Sequence, residues 1–188
     1  MKKHFDIQLF DESRAALLRN TIADYVEING TYELMGTGFT KLDENPGAKT
    51  DSETYINEST ASTDITGYET EFSYESRLIP SQKAIYELWK QGRNHATGGN
   101  AQMKYVRVEL FNPIGEASEQ SAEFTARQFT VANEVSETSG EGSGKITVSG
   151  TLHAVGDPVL GKFDTVTKKF TAGDFSGKYD TAVAAAKA

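Results

Sequence analysis

Asp43, Asn45, Asp51 and Glu53 crowd into one short segment with the composition of a calcium loop. Set in the register of a helix–loop–helix calcium site, the segment fails. Gly47 takes a ligand position, Ala48 stands where the sharp turn needs glycine, and Thr54 replaces the bidentate glutamate. Glu69 and Glu71 form the kind of carboxylate pair that does general acid–base work, but alternate positions on one strand face are ordinarily solvated. Gly140 to Gly144 is glycine-rich yet lacks the lysine–serine pair of a phosphate loop, so it reads as a linker between strands. His4, His95 and His153 are scattered, and the absence of cysteine removes disulfides, thiolate metal sites and cysteine nucleophiles. No serine stands in the glycine setting of a nucleophile elbow. The residues give an enzyme no support, and no cofactor or metal is expected.

The charge is the stronger signal. The 188 residues carry 27 acidic and 19 basic side chains, a net of −8, which argues against a surface that grips nucleic acid. From Glu27 to Glu75 only Lys41 and Lys49 are basic, and this quarter of the chain holds all of the acidic excess. Asp6, Asp11 and Glu12 interrupt any apolar leader after Lys2 and Lys3, and no run approaches the roughly 20 apolar residues of a membrane span, so a soluble, non-secreted protein is expected.

The elements that would carry these residues are mostly strands. Tyr32 to Leu42 reads as one strand bulged at Gly36 and Gly38. Tyr68, Thr70, Phe72 and Tyr74 alternate with Glu69, Glu71, Ser73 and Glu75, giving an aromatic face for a core and an acidic face for water. Lys104 to Phe111, Glu123 to Val135, Lys145 to Ala154, Val159 to Phe163 and Thr167 to Thr171 complete a set that argues for a sandwich or barrel. One helix is predicted over 81–92, with Ser81 as N-cap; Ala84, Ile85, Leu88 and Trp89 share a stripe that packs on a sheet. Residues 1–28 read as an N-terminal arm, 29–173 as the β domain and 174–188 as a flexible tail. Between strands, 43–64 is too long and too rich in Gly, Pro, Ser and Thr for a tight hairpin.

Several motifs, in order, resemble the major tail tube proteins of long, non-contractile-tailed bacteriophages. They are Glu33 to Thr40, Asn45-Pro46-Gly47, Tyr55 to Asn57, Thr66 to Tyr68, Tyr105 to Leu110, Gly150 to Leu152, Gly156 to Val159 with Phe163, and the close at Thr167 to Gly173. The resemblance spans about 20–173. It implies a mainly β fold: two packed antiparallel sheets of the tail-tube type, with one flanking helix, a long inter-strand loop and an extended N-terminal arm.

It further implies a structural virion protein of the phage tail, made in the host cytoplasm, whose six-membered rings stack into a tube and whose acidic lumen conducts DNA without specific binding. The implied partners are other copies of itself, a tape measure, a tail terminator and a distal tail protein, with no membrane. Glu33, Glu69, Glu71, Ser73 and Glu75 are then expected in the lumen. Asp43, Asn45, Pro46, Asp51, Tyr55 and Ile56 are expected in a ring-stacking loop, and Ile85, Leu88 and Trp89 between helix and sheet. The competing reading is a free-standing β-sandwich module for binding or adhesion.

Overall fold

The structure is a computed structural model and describes residues 16–116, 118 and 121–181. It is mainly β. Eleven strands are present among the described residues: β1 (Ile22–Ile28), β2 (Thr31–Leu34), β3 (Phe39–Asn45), β4 (Ala48–Glu53), β5 (Ser62–Tyr68), β6 (Glu71–Arg77), β7 (Gln102–Pro113), β8 (Glu123–Ser139), β9 (Thr147–Ala154), β10 (Val159–Asp164) and β11 (Lys169–Ala172). Helix α1 (Lys83–Arg93) flanks them. Nine strands form one antiparallel sheet in the order β2-β1-β7-β8-β9-β6-β3, with β10 and β11 branching from β8; β4 and β5 make a separate two-stranded ribbon.

The 17-residue strand β8 explains how two layers share one sheet. Its first half pairs with β7 on one edge and β10 on the other, and its second half pairs with β9. The sheet curls along this strand until β6 and β3 lie over β7 and β8. Phe72 of β6 meets Tyr105 of β7 and Phe129 of β8 at ring-centroid distances of 4.6 and 4.9 Å. With Val26, Ile85, Leu88, Val131, Val148 and Leu152 these rings form the main core. A second cluster, Tyr25, Tyr32, Val106, Val108, Ala126 and Phe163, lies on the other face of β1 and β7.

Ile85 and Leu88 are fully buried under α1, and Trp89 sits at the margin of the core, half-buried. Asn133 of β8 donates to the Leu88 carbonyl at 3.0 Å. A side chain at Gly92 would meet Val135 of β8 at 2.5 Å, so that glycine sets how close the helix can lie. The helix is capped by Gln82 rather than Ser81, and no side chain caps it.

Three boundaries differ from those read in the sequence. The N-terminal arm was expected to reach residue 28, but β1 is a paired core strand. Asp24, Tyr25 and Val26 are all buried in succession, because both faces of β1 are covered, and this hides the period-two alternation that would mark a half-buried strand. The stretch 32–42 is two strands, β2 and β3, broken at the turn that holds Gly38 (φ +100°). In the segment 43–64, residues 43–45 end β3, and β4 with the start of β5 extends the β3–β6 hairpin, with only 54–61 left as a tip. Every residue of β4 is exposed, so no apolar face exists for a sequence pattern to report. Beyond β11, Gly177 and Tyr179 are tied to Asp180 and Asn112 through hydrogen bonds of 2.9 Å, so the ordered chain runs past residue 173. The rest of the expected tail, 182–188, and residues 1–15 of the arm lie outside the described residues.

Candidate functional site

The sheet presents one broad face that is polar from end to end. On β6, Phe72 and Tyr74 are buried and Glu71, Ser73 and Glu75 point the other way. Pairing puts Asp43 beside Ser73 and Lys41 beside Glu75 on β3, and His153, Thr151 and Ser149 beside Glu71, Ser73 and Glu75 on β9. On β8, Glu134 lies across from Thr151 and Glu137 from Ser149. Four adjacent strands, β3-β6-β9-β8, thus share a face on which five carboxylates stand among hydroxyls, one histidine and the two cations Lys41 and Arg77.

Local contacts order this face. His153 Nε2 lies 2.8 Å from Glu134 and Nδ1 3.2 Å from Glu71, so the imidazole joins β8, β9 and β6. The hydrogen bond from His153 holds the Glu134 carboxyl below the usual carboxylate range. Glu75 is exposed, and the Lys41–Asp43 contact of 3.2 Å is exposed on both sides.

Two residues expected in this row are elsewhere. Glu33, on β2, receives Lys83 of α1 at 2.6 Å and Lys168 at 3.5 Å, and the Lys83 hydrogen bond lowers its pKa. Glu69 precedes β6 and pairs with Lys49 of the ribbon at 2.6 Å. It marks the joint where ribbon meets sheet: Gly47 adopts φ +61°, its N–H donates to Asn45 Oδ1 at 3.2 Å, and its carbonyl accepts from the Glu69 N–H at 3.0 Å.

Both edges of the polar face lack a neighbouring strand among the described residues. β3 ends the sheet, paired on one side with β6. The β7 pairing of β8 runs only to Ala132, so Glu134 to Ser139 have β9 on one side and no strand on the other. Unpaired strand edges are templates for another chain.

The ribbon is the second feature. Its strands pair through Ser52 and Thr63, whose hydroxyls lie 2.8 Å apart, and bury almost nothing. An isolated two-stranded hairpin is marginal in water. Yet this one carries Tyr55, Ile56, Ile65 and Tyr68 exposed, with Ile56 fully open. Asp43 and Asn45 of the expected stacking loop lie in β3; Pro46 is at the joint, Asp51 in β4, and Tyr55 and Ile56 at the tip.

A buried ion network that the sequence reading missed ties the layers together beside this face. Arg107 of β7 reaches Asp24 of β1 at 3.2 Å and Glu44 of β3 at 2.9 Å; Arg127 of β8 also holds Glu44, at 2.7 Å. The Tyr105 hydroxyl donates to Asp24, and burial followed by the Asp24 charge pushes that phenol well up. The signal was present: Arg107 interrupts Tyr105, Val106 and Val108 in an apolar strand.

Comparison with solved structures meets this geometry directly. The tail of an empty gene transfer agent (GTA) particle, computed with helical refinement and C6 symmetry, matches with a TM-score of 0.56 at 10% identity, over 77% of this chain and 98% of that one. The virion of a native GTA particle matches with a TM-score of 0.53 at 9% identity and the same coverages. The SPP1 tail tube matches with a TM-score of 0.55 at 14% identity, over 77% of this chain and 78% of that one.

The chain has the tail-tube fold.

No family model matches the sequence, and no curated protein does. The tail-tube fold is therefore carried here by a sequence only 9–14% identical to those neighbours. Among the described residues no group of three or more His, Asp or Glu side chains is arranged to hold a metal ion, and no helix is long and apolar enough to cross a membrane.

Proposed function

We propose that this chain is the structural subunit of a phage-like tail tube, with the β8-β9-β6-β3 face lining the lumen. The observation that carries the proposal is the coincidence, on a tail-tube fold, of a four-stranded polar face with open edges on both sides. β3 of one subunit would pair with the second half of β8 in the next, closing a ring and removing both edges at once. Six copies, the symmetry stated for the GTA tail, would supply 24 strands. At about 4.8 Å spacing and roughly 40° tilt these enclose a backbone diameter near 50 Å. About 5 Å of side chain on each wall leaves a lumen of about 40 Å, enough for hydrated duplex DNA. Glu71, Glu75, Glu134 and Glu137 would repel phosphates within the roughly 8 Å Debye length, so that DNA passes without being held. Other tail proteins would close the two ends of the tube.

The ribbon would join rings along the tube axis. Tyr55 and Ile56 gain burial only against another subunit, and six such contacts per ring offset the ordering of each tip. Replacing 50–63 with a tight turn tests this. The variant is expected to fold and melt like the parent but to remain unpolymerised at concentrations where the parent forms tubes. Tubes of ordinary length from the shortened chain would overturn the stacking role.

A further inference from the structure

A groove of about 660 Å³ opens where the start of β1 faces the free side of β3. Ile22, Leu34, Met35, Phe39, Leu42 and Leu110 make it mostly apolar, and Arg19 and Lys41 stand at its rim. Leu34 is 48% exposed there, and the neighbouring Leu17 and Leu18 are also open. None of the described elements fills this groove.

We propose that its occupant is residues 5–10 of the same chain. Three observations favour this segment. The described chain begins at residue 16 and enters the fold at Arg19 and Asn20, on the lip of the groove itself. Residue 7 is eleven positions from Leu18, a reach of up to about 36 Å when extended. In sequence, Phe5, Ile7 and Leu9 alternate with Asp6 and Gln8, so an extended segment would turn one apolar side to the groove. A tether this short also gives the segment an effective concentration in the millimolar range at its own groove, ahead of any second copy. The docked segment would cover the apolar seam beside β3 and hold that strand in place. The inference concerns the dilute single chain, in which no neighbouring subunit lies along the free side of β3.

The absence of cysteine makes the test direct. Ile7→Cys is combined with Leu34→Cys in one full-length chain, and in a second chain with Thr40→Cys, an exposed position on the same groove. The control pair is Ile7→Cys with Lys104→Cys, exposed on β7 about 20 Å along the strand from Leu110 and still within the tether's reach. Oxidation is followed in dilute protein by non-reducing electrophoresis and mass. Intrachain disulfides at both groove positions, formed at least about tenfold faster than the control, are expected. Adding Leu9→Asp should erase that advantage. Equal rates for groove and control pairs would overturn the proposal, as would disulfides found only between chains, which would assign the groove to a second copy.

Discussion

Glu44 accepts hydrogen bonds from two arginines on strands that β3 covers, and without it Arg107, with a side chain only 6% exposed, would lose its better contact. Breaking a buried pair from one side leaves an uncompensated charge, so Glu44→Gln is expected to cost about 3 kcal/mol at neutral pH. Burial alone would raise the Glu44 pKa. The hydrogen bond from Arg127 and the charges of Arg127 and Arg107 outweigh it and bring the carboxyl below its ordinary value. A carboxylate with a lowered native pKa stabilises fully above its unfolded value of about 4.3, and that contribution disappears as pH falls through the native value. Denaturant melts of parent and variant across pH should therefore show the difference constant from pH 7 to about 5 and shrinking toward pH 3. A gap that widened in acid would contradict the network's role. Sequence could flag Arg107 as a charge inside an apolar strand. It could not supply partners 63 and 83 positions away, because ion pairs leave no spacing rule.

The elements that were legible are those with one wet face and one dry face. β6, β9 and α1 alternate or repeat cleanly, and Phe72, Tyr74, Ala84, Ile85 and Leu88 are inside as expected, whereas Tyr68, expected on the same core face as Phe72, ends β5 and is exposed. β1, covered on both faces, and the ribbon, covered on neither, offer no such contrast and were read as arm and loop. The helix shows where such a pattern misjudges degree. Leu88 and Trp89 share the stripe, but Leu88 is fully buried while Trp89 lies at the rim, against the tilted ring of Tyr86 with Arg93 over its own ring at 5.0 Å. Leu88→Ala should cost about 3 kcal/mol as a cavity in the core. Trp89→Ala should cost less than Leu88→Ala, although it removes more atoms, because part of its surface stays in water and the rim can close over the gap more easily than the core. Thermal melts of the two variants settle the order, and a larger loss at Trp89 would mean that the helix is anchored through its rim.

At the scale of the whole molecule, charge separates a wall from a mere surface. The acidic excess of the sequence block around Glu27 to Glu75 is divided by the fold. Glu44 goes to the buried network, Glu33 to α1, Glu69 to the ribbon joint, and only Asp43, Glu71 and Glu75 reach the polar face, where β8 adds Glu134 and Glu137. Lysine at Glu71, Glu75 and Glu137 should leave assembly intact and make tubes retain duplex DNA in co-sedimentation, where the parent retains none. Equal retention by both would place this face outside the lumen. The most direct measurement is cryo-electron microscopy of the concentrated, purified chain. Hollow tubes of stacked six-fold rings are expected, with β3 of each subunit paired to the second half of the neighbouring β8 and a lumen of about 40 Å walled by Glu71, Glu75 and Glu134. Protein that stays monomeric at every concentration, or tubes with these carboxylates on the outer surface, would contradict this arrangement.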